Sequence, residues 1–196
     1  MGAPRALLHV HSTSSPLWGV HSPSEVVKRA KALGYDRIAL TDRNGLYGLF
    51  LFLDSAREEG VDAMIGAEIH SPGGERAILW TKNIRGYKNL CRLLSARHCD
   101  PSFRLADALP PRRDGLVAAS DHKPLLLTLA RASRRDLYVE LSPGHGMHEA
   151  LKFAREHRIP PVATTRAVGF DQGDIALHRV LRAVAHGTKL SRLASF

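Results

Sequence analysis

Cysteine is almost absent from this sequence, which has two cysteines in 196 residues. Cys91 and Cys99 form no CxxC pair, so there is no zinc knuckle, and two isolated thiols favour a reducing, cytoplasmic setting. The sequence also lacks an apolar run long enough to span a bilayer, so we expect no membrane partner. The first residues, MGAPRALLHVHS, lack the apolar core of a signal peptide, so we expect no secretion.

Charge is the clearest bias of the composition, with a formal net charge of +9. Such an excess is compatible with nucleic acid or another polyanion as a neighbour. The arginines are scattered and form no dense basic run, so a generally arginine-rich composition explains the charge equally well.

Short apolar runs alternate with amphipathic segments along the whole chain. The predicted strands are Ala6–Val10, Asp36–Thr41, Val61–Ile69, Arg76–Thr81, Gly115–Ala119, Leu137–Leu141 and residues 159–165. The predicted helices are Pro23–Leu33, Leu46–Glu59, Tyr87–Arg97, Pro124–Ala132, His148–His157 and Ile175–His186, with a loop over Cys99–Asp114. This alternation predicts parallel pairing through βαβ crossovers. Seven strands favour a barrel, and without a linker or repeat we expect one domain over residues 1–196.

Charged and imidazole side chains recur at the C-terminal ends of the predicted strands, where α/β barrels place their chemistry. His9 and His11 are two residues apart at the end of the first strand, so both point to one face, as metal ligands would. They could instead be strand-capping imidazoles. The other strand ends carry Asp42 and Arg43, Glu68 and His70, Asp121 and His122, Glu140 with His145 beyond it, and Arg166.

Seven segments in order resemble one known family: HVHS, ALTDRNGLYG, GAEI, NIRGYKNLCRLLS, GLVAAS, LYVELS and PVATT. Together they resemble the PHP (polymerase and histidinol phosphatase) domain. Through ALTDRNGLYG and LHRVLRAVAHGTKLSRL, the sequence is most similar to the form in error-prone bacterial DNA polymerase III alpha subunits. The resemblance implies an α/β fold, a distorted TIM-like (β/α)7 barrel. Active family members bind up to three metal ions, often zinc or manganese, and hydrolyse phosphoesters, in some polymerases as a 3′–5′ exonuclease.

Part of the family's ligand set matches this sequence. His9 and His11 fall on the family's HxH motif, and Asp42 falls on the Asp of its Thr-Asp-His-Gly motif. Glu68 falls on a glutamate that bridges metals in active members, and His122 falls on a later Cys or His ligand. Glu140 and His145 would lie at the periphery of such a site.

The remaining ligand positions are substituted. Trp18 occupies a position where the family has an Asp, and Arg43 and Arg76 each occupy a position where it has a His. Arg166 and Val168 occupy the positions of the family's final Asp-x-His. The resemblance therefore implies a degenerate site that holds no ion, or one divalent ion, zinc or manganese. Since a guanidinium pairs well with carboxylates, we expect the three arginines to take the vacated cation space beside Asp42, Glu68 or Glu140. Trp18 is expected to pack, and other histidines, including His21 and His178, to be surface or helix-face residues.

Three functions stay open on this basis. The first is a structural PHP domain of an error-prone-type polymerase, acting in replication or repair synthesis with the polymerase body as its partner. The second is a metal-dependent phosphoesterase or exonuclease with a partial site. The third is a non-catalytic basic scaffold that binds DNA or a protein. The chain has no polymerase palm, so we expect an excised domain, a truncated product or a split subunit.

Overall fold

The computed structural model describes residues 5–144 and 146–193, which form seven strands and seven α-helices. The strands are β1 (Ala6–Val10), β2 (Arg37–Leu40), β3 (Asp62–His70), β4 (Arg76–Thr81), β5 (Leu116–Ser120), β6 (Leu137–Leu141) and β7 (Pro161–Ala163). The helices are α1 (Pro23–Ala32), α2 (Leu49–Glu59), α3 (Ile84–Cys99), α4 (Leu105–Ala108), α5 (Lys123–Ala132), α6 (Met147–His157) and α7 (Gln172–Ala185).

These elements pack as two compact units. Among the described residues, the first unit holds residues 5–42, Leu46–Ala63 and residues 166–193. The second unit holds Arg43–Gly45 and Met64–Thr165. Strand β3 therefore begins in the first unit and continues in the second. A single domain over residues 1–196 stays a prediction.

The first unit is built on the parallel pair β1 and β2, whose register aligns Leu7 with Ile38. Helix α1 begins as its sequence predicts: Ser22 caps it in a reciprocal capping box with Glu25, and Pro23 occupies the first turn. Both strands bury apolar side chains against α1 and α2. The core of this unit comprises Leu7, Val10, Val26, Val27, Ala30, Ile38, Leu40, Phe52, Ala56 and Val61.

The second unit arranges β3 to β7 in chain order, and here the prediction of parallel pairing throughout is wrong for two pairs. Strand β4 runs antiparallel to both β3 and β5, whereas β5 pairs with β6, and β6 with β7, in parallel. The short turn between His70 and Arg76 reverses the chain into β4, since a parallel crossover needs a dozen residues or more. Because β4 is the reversed strand, its pairing with β5 is antiparallel too. The hairpin pairs His70 with Arg76, which places the start of β4 beside the end of β3.

Several element boundaries depend on caps that hydrophobic periodicity does not reveal. Helix α3 begins three residues before the predicted start because Asn83 accepts a hydrogen bond from the Gly86 amide. Helix α7 likewise begins at Gln172, since Asp171 and Asp174 form a capping box. The predicted loop over Cys99–Asp114 is also partly wrong, because it contains α4 and a short 3-10 helix.

The start of α3 gives a prediction for the stability of the second unit. A β-carbon on Gly86 would lie 1.9 Å from the carbonyl oxygen of Gly115, which is backbone and cannot rotate away. We therefore expect Gly86→Ala to lower the free energy of unfolding by at least about 2 kcal/mol, measured by urea denaturation. Gly73→Ala is the matched control, since a β-carbon there meets nothing within 4 Å, and it should change stability by less than about 1 kcal/mol. Equal losses in the two variants would contradict the assigned contact.

Candidate metal centre

The predicted histidine pair lies in the first unit, and its two imidazoles meet. His9 and His11 are both buried, and their Nε2 atoms are 3.2 Å apart. At this distance one nitrogen can donate a hydrogen bond and the other accept it. Two imidazole ligands on one tetrahedral zinc ion would also stand about 3.3 Å apart, given zinc–nitrogen bonds of about 2.0–2.1 Å. The pair therefore suits either a hydrogen bond or a shared cation.

Asp42 organises the loop that follows the histidine pair. Its carboxylate accepts hydrogen bonds from the Ser12 amide and hydroxyl, each at 2.7 Å, and from the Ser15 hydroxyl at 2.6 Å. The Ser15 hydroxyl also lies 3.4 Å from Nδ1 of His11. Burial raises the pKa of Asp42, and the serine hydrogen bonds oppose that rise only in part. The Ser12 amide and two serine hydroxyls thus satisfy the oxygens of this carboxylate, which was expected to pair with an arginine.

Positions 166 and 168, where the family carries its last two ligands, lie along the histidine pair. The Ala167 amide donates to the His9 carbonyl at 2.9 Å, and the Ala167 carbonyl accepts from the His11 amide at 3.1 Å. Arg166 and Val168 flank this alanine, and Arg166 has a left-handed backbone with a φ of 48°. The segment thus runs beside His9 and His11 without the two metal-binding side chains that the family places on it. The predicted ion pair of Arg166 stays a prediction.

Trp18, at another substituted ligand position, packs as predicted. Its ring stands edge-on to the rings of His11 and His178, with centroids 5.9 Å and 5.2 Å apart, and the Arg182 guanidinium lies 4.4 Å from its centroid. His178 donates from Nδ1 to the Trp18 carbonyl at 2.6 Å and is buried, and burial is the main cause of its lowered pKa.

His21 corrects the expectation of a surface or helix-face position, and His178 lies on a face of α7 but is buried there. His21 is buried, with Nε2 2.7 Å from Asp174, and its partner lies on α7, far along the chain. The partner of His178, the Trp18 carbonyl, is 160 residues away. No local spacing could have revealed either contact, because both depend on α7 returning to the N-terminal segment.

The second unit contains a cluster of buried charge centred on Arg76. Its guanidinium donates to Glu68 Oε1 at 2.7 Å, lies 2.7 Å from Asp121 Oδ2, and also contacts Glu140. Only 6% of the Arg76 side chain is exposed, and Glu68 and Glu140 are almost fully buried. Arg76 thus pairs with two of the three carboxylates expected for the substituted arginines, Glu68 and Glu140. Asp121 is an additional partner that sequence reasoning did not assign to it.

Arg76 keeps its positive charge in this setting. Burial alone would lower the pKa of the guanidinium, but the carboxylates of Glu140, Asp121 and Glu68 outweigh it and raise that pKa. A planar guanidinium presents donors in a fork that matches several carboxylates at once. It therefore acts here as a permanent cation.

The remaining contacts of these carboxylates also lie within the second unit. Oε2 of Glu68 is 2.8 Å from Nε2 of His70 and 3.7 Å from Nε of Arg43, so the predicted Arg43–Glu68 pairing is found at long range. The second oxygen of Glu140 accepts a hydrogen bond of 2.6 Å from the Thr164 hydroxyl. Arginine, histidine and threonine groups thus surround both glutamates.

Two predicted residues have other positions. His122 is half-buried and caps α5, because its Nδ1 accepts from the Leu125 amide at 3.2 Å. This cap occupies one ring nitrogen, and a role for His122 as a ligand stays a prediction. His145 lies outside the described residues.

The two units hold the predicted metal ligands differently. In the second unit, the Arg76 guanidinium contacts one oxygen of Glu68 and one oxygen of Glu140. In the first unit, arginine and valine stand beside His9 and His11 at the positions of the last two ligands. The imidazole pair keeps a geometry that a divalent ion could use, and Glu68, its predicted third ligand, belongs to the second unit.

A family model described as the PHP domain matches residues 8–157. An error-prone DNA polymerase of Anaeromyxobacter dehalogenans is 32% identical over 221 residues, which cover 97% of this chain and 19% of that protein. The DNA polymerase III subunit alpha of Borreliella burgdorferi is 26% identical over 226 residues, covering 94% of this chain and 20% of that protein. The chain therefore spans about a fifth of the length of these relatives.

Solved structures share the fold. An amidohydrolase of Chromobacterium violaceum has a TM-score of 0.59 at 19% identity, covering 85% of this chain and 90% of its own. A Bifidobacterium adolescentis protein described as a metal-dependent phosphoesterase has a TM-score of 0.57 at 14% identity, covering 92% of this chain and 97% of its own. With the family match, these likenesses confirm the predicted fold class, α/β of the PHP type.

Among the described residues, no helix is long and apolar enough to cross a membrane.

The Arg76 cluster predicts a large effect on stability. Arg76→Gln leaves the buried carboxylates of Glu68 and Glu140 without their cation, so we expect a loss of about 3–5 kcal/mol in the free energy of unfolding. Without the guanidinium, burial raises the pKa of these carboxyls in the folded variant. The folded variant then binds protons more tightly than the unfolded chain. Its deficit relative to wild type should therefore widen as the pH rises above about 4.3, the ordinary glutamate pKa.

Arg85→Gln is the control for this measurement. Arg85 pairs with Asp114 at 2.6 Å, but both side chains are mostly exposed, so its loss should cost less than about 1 kcal/mol. Urea denaturation of both variants across a pH series gives the comparison. A cost for Arg76→Gln no greater than that for Arg85→Gln would contradict the structural importance of the cluster.

Proposed function

Because the chain belongs to the PHP domain family, we propose that it is the PHP domain of an error-prone-type DNA polymerase III alpha subunit, with a degenerate metal site. In this role residues 1–196 act as one domain that supports the polymerase body in replication or repair synthesis. The relatives named as DNA polymerases support this proposal. A polymerase works where the DNA is, so we expect the chain in the cytoplasm, and its net charge of +9 favours DNA as an additional partner.

The proposal that hydrolysis is lost rests on one observation, the position of the Arg76 guanidinium between Glu68 and Glu140. Phosphoester hydrolysis at a metal centre needs ions that activate water and neutralise charge on the phosphate oxygens. A guanidinium can neutralise the carboxylates, but it cannot lower the pKa of a bound water as a metal ion does. With Arg76 in this position, the second unit keeps its charge balance and loses the chemistry.

Metal content tests the proposal directly. Protein purified without chelator and equilibrated with Mn²⁺ or Zn²⁺ should hold at most one ion per chain, because the ligands for a larger centre are missing. Inductively coupled plasma mass spectrometry measures the stoichiometry. We also expect no hydrolysis of bis(p-nitrophenyl) phosphate above the rate of the His11→Ala variant. Two or more stoichiometric ions would refute the degenerate site.

A second function has one observation in its favour, the His9–His11 pair with its nitrogens 3.2 Å apart. These imidazoles would hold a single divalent ion, zinc or manganese, which would supply Lewis acidity to a residual phosphoesterase. The same assay separates the two functions: hydrolysis that depends on added Mn²⁺ or Zn²⁺ and disappears in His11→Ala would favour the second. Gly73→Ala is a suitable control because its site has open space around it.

A further inference from the structure

Helix α7 is held in the first unit by one polar face. On this face Asp174 accepts a hydrogen bond from the Phe170 amide at 2.7 Å and lies 2.7 Å from Nε2 of His21. One turn later, His178 donates to the Trp18 carbonyl at 2.6 Å. Asp174 and His178 are both buried. The orientation of the helix about its own axis is therefore fixed by these two contacts.

That orientation leaves apolar side chains in solvent. Leu177, Val180 and Val184 are 47%, 44% and 62% exposed. Their spacing of three and four residues places them on one side of the helix, and we call these three residues the α7 stripe. Single exposed apolar residues are ordinary, but a continuous apolar stripe on a helix commonly marks an interaction surface.

The comparisons indicate which protein would cover the stripe. The PHP family match ends at residue 157, before α7 begins at Gln172. The alignment with the Anaeromyxobacter dehalogenans polymerase covers 97% of this chain and so includes α7. The helix therefore belongs to the part shared with polymerases and lies outside the part that matches the general family. About four-fifths of that polymerase lies outside the aligned region.

We propose that the α7 stripe is a docking surface for the polymerase body, meaning the part of an error-prone polymerase outside the region aligned with this chain. The inference rests on the proposed function and adds to it the surface that makes the contact. The polymerase body would present an apolar groove to Leu177, Val180 and Val184, in the way that helices with such spacing bind grooves. Polar contacts elsewhere would then add specificity rather than most of the affinity.

Solvent labelling of a full-length polymerase tests the proposal. In a chimera, this chain replaces the aligned region of the Anaeromyxobacter dehalogenans error-prone polymerase. Leu177→Cys is introduced into the chimera and into the isolated chain, and maleimide labelling of its peptide is followed by mass spectrometry. We expect labelling at least tenfold slower in the chimera, because the polymerase body covers the stripe.

Ile175→Cys is the matched control. Ile175 lies on the same helix and is 47% exposed, the same as Leu177, but two residues along a helix it points to the other side. Its labelling should be equal in the chimera and the isolated chain. Equal labelling of Leu177→Cys in a chimera that extends primers would overturn the docking surface and leave the proposed function standing.

Two other outcomes would also overturn the docking surface. A chimera that folds, by circular dichroism, but does not extend primers would overturn the proposed function, and the docking surface with it. Protection of Leu177→Cys in the isolated chain that increases with protein concentration would assign the stripe to a second copy of this chain, against the proposal. Light scattering on the same samples detects that self-association.

Discussion

The charge balance of the second unit depends on one buried cation. Arg76 joins Glu68 on β3, Asp121 after β5 and Glu140 on β6, so a single guanidinium links three strands through their ends. Two buried glutamates without a cation would repel each other and would lack the hydration that they have in water. The forked donors of arginine suit this task better than the single ammonium of lysine. The antiparallel hairpin makes the contact possible, because it returns the chain to the end of β3 where Glu68 lies.

The first unit satisfies its buried acid differently. Asp42 accepts hydrogen bonds from Ser12 and Ser15, and these neutral donors leave its pKa raised by burial. The Ser15 hydroxyl connects Asp42 with His11, and the His11 imidazole contacts the His9 imidazole. All of these polar contacts lie inside this unit. Each unit thus has its own internal set of partners for its buried acids.

The sequence was a good guide to local structure and a weaker one to long-range contacts. The bounds of β1, β4 and β6 agree with their apolar runs. The substituted ligand positions predicted arginines beside Asp42, Glu68 or Glu140, and Arg76 contacts both glutamates, whereas serine groups bond Asp42. The antiparallel hairpin was missed although Pro-Gly-Gly stands between the two strands, a turn signal that favours a hairpin over a crossover. The partners of His21 and His178 could not have been predicted, because they come from opposite ends of the chain.

In the proposed function, the arginine at a family metal-ligand position separates the fold from its chemistry. In an active member of the family, ions balance the carboxylates at the strand ends and also activate water. A guanidinium at position 76 can perform only the first of these tasks, so a fold that needs charge balance can persist without hydrolysis. An apolar residue there would remove the Arg76 cation from both Glu68 and Glu140. In the proposed function, arginine therefore balances these carboxylates in place of a metal ion, and the domain contributes through its surface.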